Sequence, residues 1–292
     1  MRRTIPVRIV VSDLSGILFG YYNGACRYNL RQKKGRPAIT IVFLGVLVVS
    51  LSVLLAVLGL TLVQRLVPSA LREEHNDVAG FIYAVLGVMY AVVLAFVVIV
   101  VWEEFGEAKS ITHTEANDLA DIHGLAEQFP EPKRSRVQGL VRSYTETVID
   151  EEWPLMRDRR SSPRAQALMD DLRQNIQEFE PNTVSEQAIY DQQLSRVQDL
   201  ADARSLRLVA INEGIPLILW GLLLVGGTIT VTFTYLFGLK NTWSHTLMVA
   251  ALTVVIAVIL FTIYSLEHPF SGNVRVNPDA FELVLRRLEG RF

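Results

Sequence analysis

Hydrophobic positions fall into four unbroken blocks, residues 39–63, 79–101, 215–237 and 246–266, none holding an Asp, Glu, Lys, Arg or His. They run to 25, 23, 23 and 21 residues. A helix needs about 20 apolar residues to cross a bilayer core about 30 Å thick, and buried helices of water-soluble proteins use shorter runs. Each block therefore predicts a transmembrane helix. Trp102, Trp220, Trp243, Tyr235 and Tyr264 stand at or near the block ends, where amphipathic rings favour the headgroup layer.

Between the second and third blocks the pattern changes. Residues 102–214 are polar, with apolar positions at spacings of three and four, the signal of amphipathic helices. Ile111, Leu119, Ile122, Ala126 and Phe129 form one stripe, continuing directly from block two. Val137, Leu140, Val141, Tyr144 and Val148 form a second; Leu168, Leu172, Ile176 and Phe179 a third. Val197, Leu200, Ala201, Leu208 and Ile211 lead into block three. Breaks are expected at Pro130 and Pro132, Pro154, Pro163 and Pro181. No stretch alternates like a strand. The fold class expected is all-α: an integral membrane protein with four transmembrane helices and a helical cytoplasmic domain between spans two and three.

Charge sets the orientation. Residues 1–37 carry eight Lys or Arg (Arg2, Arg3, Arg8, Arg27, Arg31, Lys33, Lys34 and Arg36), whereas loops 64–78 and 238–245 carry three, Arg65, Arg72 and Lys240. The excess of basic residues on the cytoplasmic side places both termini and residues 102–214 there. The expected division is 1–37, a basic N-terminal segment with interfacial character; 38–101, spans one and two; 102–214, the cytoplasmic domain; 215–266, spans three and four; and 267–292, a cytoplasmic tail. Cys26 is the only cysteine, so no disulfide forms within the chain. The net charge of −2 over 292 residues gives no general case for nucleic-acid binding. The domain itself holds 22 acidic and 13 basic residues, which reads either as a solvated helical surface or as an acidic vestibule that gathers cations.

Catalytic signatures are missing. There is no GxGxxG, P-loop or HExxH pattern, and no ionisable residue lies inside a span, where proton-coupled carriers place theirs. The expectation is no enzyme, no cofactor and no metal. Membrane lipid, a second copy of the chain and ions are the expected partners. Span two offers two faces. Gly80, Ala84, Gly87, Ala91 and Ala95 include small residues four apart, suited to close helix approach. Tyr83, Leu86, Tyr90, Leu94 and Val97 lie on or beside the other, which either packs on neighbouring helices or lines an apolar neck in a ring of subunits. Glu103, Glu104 and Glu107 follow at the cytoplasmic mouth, as an acidic ring favouring cations or as hydrated residues leaving the bilayer.

Several short sequences carry a family resemblance: Trp102-Glu103-Glu104-Phe105 with Thr114-Glu115-Ala116, Glu152-Trp153-Pro154, Ile215-Pro216 with Trp220, and Glu267-His268-Pro269-Phe270-Ser271-Gly272 leading to Asn277-Pro278-Asp279. In this order they resemble bacterial membrane proteins called bestrophin-like, over roughly residues 75–285. Similarity to bestrophins implies a pentameric ion channel in the bacterial plasma membrane whose span two lines the neck, and it makes Glu267, His268, Pro269, Phe270 and Gly272 a family motif. Calcium-gated bestrophins follow that motif with a run of carboxylates. Here the next residues are Asn273, Val274, Arg275, Val276 and Asn277. Calcium takes six to eight oxygens, several of them from carboxylates, so calcium gating through this element is not expected. The reading is a passive ion channel with a cation preference. The alternative is a non-conducting scaffold or signalling protein whose cytoplasmic helices bind a partner.

Overall fold

Nine α-helices of four or more residues build the described part of the chain: α1 (Arg36–Leu66), α2 (Asn76–Leu125), α3 (Lys133–Thr147), α4 (Trp153–Met156), α5 (Pro163–Gln177), α6 (Val184–Val209), α7 (Leu217–Phe233), α8 (Thr242–Leu266) and α9 (Asp279–Leu288). The computed structural model describes residues 36–68, 72–73, 75–239, 241–272 and 274–290, and no strand occurs among them. Residues 1–35, expected to carry most of the interfacial basic segment, lie outside the described residues. Residues 43–292 form one compact unit, and residues 1–42 another, of which only the start of α1 is described.

Four helices among the described residues are long and apolar enough to cross a membrane, within α1, α2, α7 and α8. They coincide with the four charge-free blocks. α2 is 50 residues long, about 75 Å at 1.5 Å per residue. It therefore leaves the bilayer and runs on as the spine of the polar domain. There it pairs along its length with α6, while α3 pairs with α5 and α9 lies across α2 and α3.

Each predicted stripe finds its core. Leu119, Ile122 and Ala126 of the first, Val137, Val141, Tyr144 and Val148 of the second, Leu172 and Ile176 of the third, and Leu200 of the fourth are fully buried in one cluster. Thr183 caps α6 with a reciprocal pair: its hydroxyl accepts from Glu186 N and the Glu186 carboxylate accepts from Thr183 N. The expected breaks at Pro163 and Pro181 are helix boundaries. Pro154 departs from expectation. A single turn of π-helix at Val148–Glu152 passes straight into α4, with Pro154 in its first turn. Proline lacks a donor and its ring crowds the carbonyl four residues back. The wider π turn relieves both, so the chain bulges there rather than breaking.

Candidate functional site

Span two organises the membrane half. Tyr90, Leu94, Val97 and Val101 are buried against α7 and α8, together with Leu223, Val249 and Ile256. The Tyr90 hydroxyl donates to Leu223 O at 2.9 Å. Its ring lies so close to Gly226 that a Cβ there would meet it at 2.7 Å. Tyr83 stacks on Phe233 at 5.9 Å and meets Phe237 edge-on at 5.7 Å. Leu86 is half-buried beside them. Of the residues expected on the neck face, Tyr90, Leu94 and Val97 are thus buried within their own protomer. The physical reason is the hydroxyl: within hydrocarbon it needs an acceptor, and a helix bearing two successive glycines lets the ring reach a backbone carbonyl.

The opposite side of α2 is open. Phe81, Val85, Val88, Val92 and Ile99, spaced by three, four and seven, are 48–75% exposed. Most of the small-residue face is open as well, at Ala84, Ala91 and Ala95. Beyond the bilayer the same outward line continues through Glu103, Gly106, Ser110, Asn117 and Asp121, all exposed. One helix therefore presents a continuous face that is apolar across the membrane and polar after it.

Glu103 and Glu107 are exposed at the membrane exit, and Glu104 is half-buried. Burial pushes the Glu104 carboxyl above the usual carboxylate range, reinforced by the charges of Glu213, Glu107 and Glu267. The family motif sits beside it and closes the bundle. Glu267 Oε1 accepts from Ile215 N at 3.2 Å and from Trp220 Nε1 at 3.0 Å, tying the end of α8 to the start of α7. Arg159 Nη2 lies 2.9 Å from His268 Nε2, and His268 Nδ1 lies 3.2 Å from Glu213 O. A guanidinium only donates and a carbonyl only accepts. The ring that satisfies both carries its proton on Nδ1. Pro269 O accepts from Val276 N at 2.8 Å, and Gly272 N donates to His268 O at 2.8 Å. A Cβ at Gly272 would stand 2.5 Å from that same carbonyl, so the turn excludes larger residues. Phe270 meets Trp153 edge-on at 5.8 Å, and Trp153 meets Phe281 of α9 at 5.6 Å.

Behind Trp153 lies a buried charge network. Glu115, Glu152 and Arg207 are fully buried and Arg204 nearly so. Arg207 makes a forked contact with Glu115, with Nη2 donating to Oε1 at 2.9 Å, and also donates to Glu152 Oε2 at 2.9 Å. Arg204 forks onto Glu152 at 2.6 and 2.8 Å. The Tyr144 hydroxyl donates to Glu115 Oε1 at 2.7 Å. Burial works against the Arg207 charge, but Glu115 and Glu152 outweigh it and hold the guanidinium protonated. Burial likewise opposes the Glu152 charge, and Arg207 and Arg204 reverse it, leaving the carboxyl below its ordinary range. Two anions and two cations thus balance one another inside the domain.

The network joins two of the separated motif pieces, at Glu115 and Glu152, through arginines that motif reading passed over. The signal was present. Arg204 and Arg207 lie in register with Val197 and Leu200 on the apolar side of α6, and Glu115 lies midway between Ile111 and Leu119. Charges on an otherwise apolar stripe mark a buried pair.

The Bestrophin-like domain model matches residues 50–281. A bacterial Bestrophin homologue from Klebsiella pneumoniae, in a single-substitution form, superposes with a TM-score of 0.64 at 13% identity, covering 83% of this chain and 98% of that one. A second structure of the homologue from that organism gives 0.63 at 13%, covering 82% and 97%. At such identity the likeness is one of fold. No curated protein matches the chain. With the family model spanning well over half of its length, the chain belongs to the Bestrophin-like family.

Proposed function

We propose that the chain assembles as a homo-oligomer, pentameric by resemblance, in the bacterial plasma membrane and conducts ions passively through a pore lined by span two. The observation that carries the reading is the continuous outward face of α2. Phe81, Val88, Val92 and Ile99 would form the apolar neck, which gates by wetting and dewetting rather than by binding. Glu103 ends that neck on the cytoplasmic side, and Asp121 lies further along the same line. Repeated around a symmetry axis, these carboxylates favour cations. The inward face with Tyr90 does the opposite job of fixing α2 to α7 and α8. The basic N-terminal segment supports a cytoplasmic location for both termini and the helical domain.

Potassium chloride efflux from vesicles holding the purified oligomer tests this. The wild type releases ions, and Val92→Ser, which wets the neck, raises the rate without changing thermal stability. Unchanged efflux in Val92→Ser, alongside a working wild type, would place the pore elsewhere. A scaffold reading would be favoured by a folded, oligomeric protein that conducts nothing.

A further inference from the structure

The seam between α2 and α6 contains a carboxylate that neither the Arg207 network nor the outward face uses. Asp118 is 4% exposed. Its Oδ1 accepts one long bond, from Arg196 Nη1 at 3.5 Å, and its Oδ2 has no partner. Arg196 is itself shared, lying 3.5 Å from Asp121 and 3.6 Å from Asp199. Three carboxylates therefore crowd one half-exposed guanidinium, unlike the balanced pairs at Arg204 and Arg207. One turn back along α6, Gln193 is fully buried. Its amide donates to Ile122 O at 3.0 Å while its Oε1 lacks a partner. Two buried acceptors on one seam thus lack a donor, and an acceptor stripped of water with nothing to accept is costly.

We propose that Asp118 is a proton-binding site that tightens the α2–α6 seam on acidification, and so couples the pH around this domain to the helix carrying the pore face. The coupling rests on the channel reading, whereas the proton site does not. A proton at Asp118 removes a desolvated charge, relieves the repulsion from Asp121 and Asp199, and turns an orphaned acceptor into a donor. The groups acting on Asp118 are Asp199 and Arg196 from α6 and Asp121 from its own helix. Burial, then Asp199, push the Asp118 carboxyl up to about 6, against the partial pull of Arg196. Because the folded value lies above the ordinary 3.8, the stabilisation is full below that ordinary value and is lost as pH rises through about 6.

Amide hydrogen exchange of the full-length oligomer, corrected for intrinsic rates, reads the seam directly in peptides covering 111–125 and 190–204. Wild-type protection there is level above about 6, begins to rise as pH falls through about 6 and levels off near 3.8, with its midpoint between the two values. Asp118→Asn, which carries donors and no charge, stays protected across the range. Asp199→Asn removes a repelling charge and moves the midpoint down, and it serves as the test should Asp118→Asn fail to fold. Wild-type protection that ignores pH, or an Asp118→Asn protein that keeps the wild-type dependence, overturns the site. Potassium chloride efflux over the same pH range then separates the two readings. A rate that follows the wild-type midpoint and loses it in Asp118→Asn supports the coupling. A rate with the same pH dependence in both proteins overturns it. No efflux from any variant, with the exchange midpoint intact, rejects the channel and leaves the proton site standing.

Discussion

Arg207 is where α2, α6 and the turn before α4 are held to one another, through Glu115 and Glu152. Its guanidinium also lies 5.4 Å from the Trp153 ring and 5.7 Å from that of Phe281, which brings the tail helix α9 to the same point. Replacing a buried ion pair whole can be nearly neutral, but removing one partner strands the other and costs about 3–5 kcal/mol. Arg207→Ala should lower thermal stability by that order, seen as a large drop in the melting temperature of the purified protein. Arg207→Lys should recover little, since an ammonium cannot fork onto Glu115 and reach Glu152 together. The pH dependence has a definite sign. Glu152 is held below its ordinary value of 4.5, so its contribution is present above about 4.5 and is lost as pH falls through the lowered value. Circular dichroism during acid titration should show Glu152→Gln less stable than wild type at neutral pH, the gap closing as the medium becomes strongly acidic.

At the scale of elements, α2 shows what sequence reading gives and withholds. Its span, its continuation into the polar domain and the stripe from Leu119 to Phe129 were all legible, because charge-free length and helical spacing are local properties. The partner of each membrane face was not. Inside a bilayer every face of a span is apolar, so periodicity separates two sides without saying which meets protein. For Tyr83, Tyr90 and Leu94 the spacing allows both neck and packing, and only the structure puts the Tyr90 hydroxyl on Leu223 O. Pro154 was misread as a stop because a π turn leaves no mark in hydrophobic spacing. Tyr90→Phe should cost about 0.6 kcal/mol, the average for a hydrogen bond between membrane helices, and should leave ion flux nearly unchanged. Gly272→Ala should be far worse, since its Cβ would strike the His268 carbonyl at 2.5 Å. The expected readout is loss of amide protection in α9, whose approach to Trp153 depends on that turn.

At the scale of the whole molecule, the basic N-terminal segment argues for cytoplasmic termini. Cys26, the only thiol, should resist a membrane-impermeant maleimide in intact cells and react after lysis; labelling in intact cells would reverse the topology. The outward face of α2 matters only in an assembly, because a lone protomer leaves Phe81, Val88 and Ile99 open along a helix whose other side packs on α7 and α8 through Tyr90, Leu94 and Val97. Ion passage through that assembly is the claim on which the rest depends. It is tested most directly by the reversal potential of the purified oligomer in a planar bilayer under an asymmetric potassium chloride gradient. The account predicts a current whose reversal moves toward the potassium equilibrium potential, and moves back when Glu103→Gln removes the carboxylate at the mouth. Reversal toward chloride would discard the selectivity. Silence from a protein shown to be folded and oligomeric would contradict the pore itself.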